Sequence, residues 1–438
     1  MKKIYFYLAL LLSSVFLWGC GGSSNNTHQP QLRAVHLSPD APQVDIDVSG
    51  NTVLEDVAYR QSSNFLSVPV GSTPLQVLVA NTSTAVIDET LILNTDTKYT
   101  VLAVNNVANI EPLIISDNIE KPANGFAAIR VVHAAPSAPE VDVYVTAPTT
   151  DISSQAPLLE DVPFKGISDE LEVAAGDYRV RVTLANDNNV IYDSGVIGLV
   201  SGVEYVAIAA ESDSNTSPIG LTILTDLDST PFVNAEDPRA RVRVVHASSD
   251  APLVDIAVDT ANVLEDVPFA VGSDYLLLPP ATYNIDVAAA ANSQSVINAD
   301  LSFSPFTDYT VAAVNTLANI EPLVLQDDNS APAAGNVKVR LVHAAVSAGS
   351  VDVYITAPGT DIAGIKPSIN GFQFKEDSGY LEVPAGDYRV RITLAGTKTV
   401  AIDTGSLGLA AGQVRTAFAL DPVPGSTDFG VLLLADLN

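Results

Sequence analysis

Cysteine is almost missing from this chain: 438 residues contain one, Cys20. A single thiol closes no disulfide and builds no cysteine-rich zinc site, so neither can staple the fold. Tryptophan and methionine also occur once each, and aromatics reach only 6%. That leaves little material for the stacking platforms on which sugars or bases are usually held. Basic side chains are scarce too, 21 Lys and Arg against 51 Asp and Glu, for a formal charge of −30. Such a surface repels phosphate backbones and anionic headgroups, which excludes nucleic acid as a partner and argues against peripheral membrane binding. After residue 18 no apolar run is long enough to span a bilayer, and no stretch has the 3.6-residue period of an amphipathic helix. Nucleophile elbows, zinc-binding His pairs, phosphate-cradling glycine loops and dinucleotide fingerprints are all missing. No catalytic residues, no cofactor and no metal are therefore expected, and the chain does not read as an enzyme.

What the sequence does contain begins with Lys2 and Lys3, followed by an apolar run at 4–18. A basic start and a short hydrophobic core are the parts of an export signal. The run ends at Leu17, Trp18, Gly19 and Cys20, then passes into Gly, Ser, Asn, Thr, Gln and Pro. Those residues resemble the lipobox of bacterial lipoproteins, with Trp18 as the departure from its pattern. The resemblance implies a leader at 1–19, lipidation of Cys20 and a flexible tether at 20–31. Gly21 rather than Asp after the cysteine implies sorting to the outer membrane. The expected partner at this end is thus the membrane, through lipid on Cys20.

The rest of the chain is repetitive. Four of the five histidines close the phrase Arg-x-x-His, at 33–36, 130–133, 243–246 and 340–343. Nine residues after each histidine stands an aspartate: Asp45, Asp142, Asp255 and Asp352. Copies one and three are offset by 210 residues, as are copies two and four. Longer matches at the same offset, 99–113 with 309–323 and 175–185 with 385–395, indicate that a two-domain unit was duplicated whole. Repeats are placed at 32–120, 125–230, 239–328 and 335–438. Within them the period is two: Tyr178, Val180, Val182 and Leu184 share one face of a strand, and Arg179, Arg181 and Thr183 the other. Short alternating runs between Pro, Gly, Asn and Asp turns specify an all-β chain of four tandem antiparallel, immunoglobulin-like β-sandwiches.

Alternation also orients the recurring polar residues. His36, His133, His246 and His343 fall on the more apolar face at the end of a first strand, against the loop that follows. Arg33, Arg130, Arg243 and Arg340 fall on the opposite face. Asp45, Asp142, Asp255 and Asp352 point away from the core of the next strand. The structural reading is a cross-strand ion pair between each Arg and the Asp of its own repeat, with the histidine partly buried. The functional alternative is a ligand or metal site in each repeat, although one histidine without a second His or Cys is a thin donor set.

The phrase Val-His-Ala-x-x-x-Ala-Pro-x-Val-Asp, at 132–142 and 245–255, and the later Pro-x-Gly-x-Tyr phrase at 384–388 resemble the family named domain of unknown function 4397. The resemblance covers nearly all of the chain after the tether and implies β-rich exported modules. Copy four has Gly349 in place of the Ala-Pro proline, and copy one has Gly71 to Pro74 in place of the Tyr phrase. Taken together, the expected function is a lipid-anchored cell-envelope display or interaction protein that binds an unidentified protein or glycan. The alternatives are a carbohydrate- or small-ligand-binding protein and, last, an envelope hydrolase.

Overall fold

A computed structural model describes residues 28–212 and 217–436. The expected leader, Cys20 and most of the expected tether lie outside those residues. The chain divides into two compact units, one formed by repeat 1 and the other by repeats 2, 3 and 4.

Each repeat is a β-sandwich of two sheets. In repeat 1 one sheet orders the strands Leu66–Ser67, Gln31–Leu37, Thr97–Val104 and Glu111–Asn118. The other orders Asn51–Val57, Val44–Val48, Gly71–Val79 and Ala85–Leu93. The later repeats reuse this plan. Their first strands, Phe126–His133, Ala240–His246 and Asn336–His343, lie in one sheet, and their second strands, Val141–Thr146, Val254–Val258 and Val351–Thr356, in the other. Inward residues of the two sheets meet in one apolar core per repeat, such as Ile129, Val143, Val182 and Ile223 in repeat 2.

Two features depart from the expected plan of purely antiparallel sandwiches separated by turn-rich joints. First strands pair in parallel with the penultimate long strand, so Ile129 stands opposite Tyr205, Val242 opposite Tyr309 and Val339 opposite Arg415. Repeat 2 also gains a fifth strand, Phe232–Ala235, from a stretch whose Pro and Asp content suggests only a joint. From there the chain to repeat 3 stays attached to repeat 2. The Tyr192 hydroxyl donates to the Ala235 carbonyl at 3.1 Å, and Arg239 donates to the Val190 carbonyl at 3.1 Å while pairing with Asp237 at 2.6 Å.

Repeats 3 and 4 share a second core. The outward faces of their first sheets meet through Val245, Val314 and Leu325 on one side and Val342, Phe418 and Leu420 on the other. The first strand of repeat 3 is therefore buried along its whole length, on both faces.

Candidate functional site

The four histidines sit at the exit of the first strands and are almost fully buried. In every repeat Nε2 faces the carbonyl six residues on: Pro42, Pro139 and Pro252 at 3.0 Å and Gly349 at 2.7 Å. A carbonyl can only accept, so Nε2 carries the proton and donates. Nδ1 then accepts the backbone N–H two residues on, from Ser38, Ala135, Ser248 and Ala345, at 3.3–3.4 Å. Each ring also meets an aromatic edge, that of Tyr59, Phe164, Phe269 or Phe374. Burial pushes all four imidazoles below their ordinary pKa, with the carbonyl contact working weakly the other way. The ring is thus a neutral clamp that fixes the Ala-Pro loop. Gly349 keeps the acceptor carbonyl in repeat 4 by taking φ +63°, a conformation open to glycine but not to proline.

With both nitrogens engaged by backbone, the imidazoles have no lone pair left for a metal. Among the described residues no group of three or more His, Cys, Asp or Glu side chains is placed to hold one.

The aspartates do not meet the arginines of their own repeats. Asp45, Asp142, Asp255 and Asp352 belong to second strands, which lie in the opposite sheet from the first strands carrying Arg33, Arg130, Arg243 and Arg340. The expected cross-strand pair assumed that consecutive strands are neighbours, whereas the Ala-Pro loop carries the chain across the sandwich. Each aspartate instead clamps backbone. Asp352 accepts the Gly371 and Gly396 N–H groups at 2.8 Å, and Asp45 accepts those of Asp56 and Asn81 at 2.8 and 3.1 Å. Asp142 and Asp255 accept from Asp161 and Asp266 at 2.8 Å. The acceptor sits where the strand register slips, and the donors Asp56, Asp161, Asp266 and Gly371 have φ of +50° to +68°. A carboxylate here holds a bulge and, in repeats 1 and 4, a hairpin tip as well.

The arginines occupy a box of their own. Nε of Arg33, Arg243 and Arg340 donates to the threonine on the neighbouring strand: Thr100 and Thr310 at 2.8 Å, and Thr416 at 3.3 Å. Their guanidinium planes lie over Phe65, Tyr275 and Tyr380, 4.5–5.0 Å from the ring centres. Arg130 donates to the Ser168 carbonyl at 2.5 Å.

Repeats 3 and 4 complete the box reciprocally. Asp327, at the end of repeat 3, takes hydrogen bonds from its own Tyr275 (2.6 Å) and Thr310 (2.7 Å) and receives Arg340 of repeat 4 at 2.5 Å. Asp436 takes the hydroxyls of its own Tyr380 (2.9 Å) and Thr416 (2.7 Å) and meets Arg243 of repeat 3 at 2.6 Å. All four charged residues are buried. Burial and the adjacent carboxylates push both phenols well above their ordinary pKa, so they remain donors. Sequence reasoning found the arginines but missed Asp327, Asp436 and the threonines. The signal was available, since Asp117 and Asp226 precede these aspartates by the same 210 residues that relate the repeats.

Fold and site define a chain of repeated β-sandwiches whose recurring polar residues clamp loops, bulges and a repeat–repeat interface. The profile described as Domain of unknown function (DUF4397) matches residues 30–144, 240–354 and 356–438, and the chain belongs to that family. No curated protein matches. Among solved structures, a family 41 carbohydrate-binding module from streptococcal virulence factors, described as recognising α-glucan, is 10% identical over 41% of this chain and 93% of its own, with a TM-score of 0.16. A putative cell adhesion protein from Bacteroides uniformis is 11% identical over 47% of this chain and 99% of its own, with a TM-score of 0.19. The Bacillus anthracis TIE protein is 12% identical over 91% and 75%, with a TM-score of 0.16.

Proposed function

We propose that this chain is a lipid-anchored envelope protein that holds β-sandwich modules at the cell surface or periplasmic face for interaction with a protein or glycan. One observation supports the reading best: the recurring polar residues are spent on construction. The histidines clamp loops, the aspartates clamp bulges, and two arginines lock repeats 3 and 4 together. A chain that invests its repeated polar positions in rigidity suits presentation of a surface better than chemistry at a centre. The basic start, the apolar run and the lipobox-like residues around Cys20 supply the anchor in this reading.

The test uses the full chain in its own cells, with a radiolabelled fatty acid and protease shaving. Label on the wild type, its loss in Cys20→Ala, and passage of that variant into the soluble fraction are the expected results. An unlabelled wild-type chain would remove the anchor. Shaving then separates surface display from a periplasmic position, and a glycan array on the purified chain separates sugar from protein partners.

A further inference from the structure

Repeats 2, 3 and 4 are not equally filled. In repeat 3 the space between the sheets is about 30 Å³, closed by Phe303, which packs against Tyr309 at 5.1 Å and Tyr283 at 6.3 Å. In repeat 2 it is about 10 Å³, with Tyr192 and Tyr205 buried in the core. Repeat 4 holds a cavity of about 250 Å³, lined by Val353, Val390, Ile392, Leu407, Leu409 and Leu433 among others. Register aligns the residues that fill this space. Leu409 stands where repeat 3 has Phe303, each opposite the glycine or alanine that opens the strand it pairs with. Ile402 stands opposite Ile392 as Tyr192 stands opposite Val182. At these two positions repeats 2 and 3 each keep one aromatic, with Leu199 and Ile297 at the other, whereas repeat 4 has none and its space is open. Repeat 1 also has aliphatic residues at both, Leu93 and Ile87, but keeps an aromatic, Tyr99, in its core. Leu433 and Val431, on the inward row of the last strand, are 41% and 38% exposed, whereas their repeat 2 counterparts Ile223 and Leu221 are 8% and 2% exposed.

A third replacement adds a charge. Tyr205 and Tyr309 occupy the inward position opposite Ile129 and Val242, and their hydroxyls accept the N–H groups of Val200 and Ser304. Repeat 4 has Arg415 there, opposite Val339 and on the same strand face as the cavity-lining Ala417 and Ala419. The chain has twelve arginines, and each of the other eleven has a partner. Arg415, half-buried, makes no hydrogen bond or ion pair among the described residues. Arg415 is not itself in the lining, but Val339 across from it and Ala417 two residues on are. An unpaired guanidinium on the strand that lines an apolar cavity is what a ligand with a hydrocarbon body and a carboxylate head would match, because carboxylates engage the guanidinium fork bidentately. The volume suffices, since a dry cavity of about 150 Å³ already admits benzene.

We propose that repeat 4 binds a medium-chain carboxylic acid, with its hydrocarbon chain between the sheets and its carboxylate on Arg415. This site does not depend on the anchor or on display. Calorimetric titration of the purified full chain with hexanoate, octanoate, decanoate and decanol tests it. Affinity should rise about fourfold per methylene until the cavity is full. Decanoate should bind at least about tenfold more tightly than decanol, as one charge-assisted contact provides. Arg415→Gln should lose that tenfold advantage while leaving decanol unchanged. Leu409→Phe, which installs the repeat 3 filler, should abolish both, and melting curves confirm that the two variants fold. No heat from decanoate, equal binding of decanoate and decanol, or an Arg415→Gln chain that binds like wild type would overturn the carboxylate assignment. Full binding in Leu409→Phe would overturn the cavity as its seat.

Discussion

At the scale of the residue, one imidazole does the same work four times. His246 donates to Pro252 and accepts from Ser248, so its loss strands a carbonyl and an amide in a buried region. His246→Ala should cost about 2–4 kcal/mol, from two unsatisfied backbone groups and the space left by the ring. Denaturant midpoints of the purified chain check this. The same ring carries a pH dependence whose sign follows from its depressed pKa. As pH falls through about 6.5 the unfolded chain takes up the proton first. The stabilisation is therefore fully present above that value and is lost progressively below it, toward the lower folded pKa. Unfolding midpoints should drop between about pH 7.5 and 5.5, before most carboxylates titrate. The slope should be shallower in His246→Ala. At His343, Asp421 and Glu376 favour the charged form and work against the effect of burial.

At the scale of the element, the clamp on the second strand decides how the sandwich is stitched. Asp352 is the acceptor for two amides, Gly371 on a bulged strand and Gly396 at a hairpin tip. Asp352→Ala should cost about 2–4 kcal/mol, since hydrogen bonds to a buried charged acceptor are each worth roughly 1.5–3 kcal/mol. Hydrogen exchange should quicken at Gly371 and Gly396 before it does elsewhere in repeat 4. Much of this element-level structure was legible beforehand. Period-two alternation at Tyr178, Val180, Val182 and Leu184 gives the strand and its inward face, and Val180 and Val182 do line the repeat 2 core. Alternation cannot say which strand lies alongside, because it reports faces and not neighbours. That is why Arg340 and Asp352 looked like partners while standing in opposite sheets. The parallel pairing of first and penultimate strands was hidden for the same reason, as it sets side by side residues 67 or more positions apart. The cavity in repeat 4 was hidden too. Leu409, Ile402 and Arg415 are ordinary strand residues until register sets them against Phe303, Tyr192 and Tyr309.

At the scale of the molecule, the reciprocal pairs between repeats 3 and 4 make two sandwiches into one cooperative body. Each buried aspartate is prepared by the tyrosine and threonine of its own repeat and neutralised by the arginine of the other. Removing one partner leaves a buried charge with nothing to balance it, which costs about 3–5 kcal/mol. Asp327→Ala should therefore destabilise repeat 4, where no residue has changed, as well as repeat 3. Replacing Asp327 and Arg340 together with leucine and methionine should restore most of the loss, because two apolar groups of similar size suit the surrounding Val342, Phe418 and Leu325. The bridge from Lys375 to Glu321 joins the same two repeats at 3.1 Å, but it is 41% and 38% exposed and solvent screens it. Lys375→Ala should cost under about 1 kcal/mol. Scanning calorimetry of the full chain distinguishes these cases. Wild type and Lys375→Ala should melt repeats 3 and 4 in one transition. Asp327→Ala should lower that transition by roughly ten degrees or split it in two, and the double variant should rejoin it. A single Asp327→Ala transition at the wild-type temperature would mean that the shared apolar core alone couples the repeats.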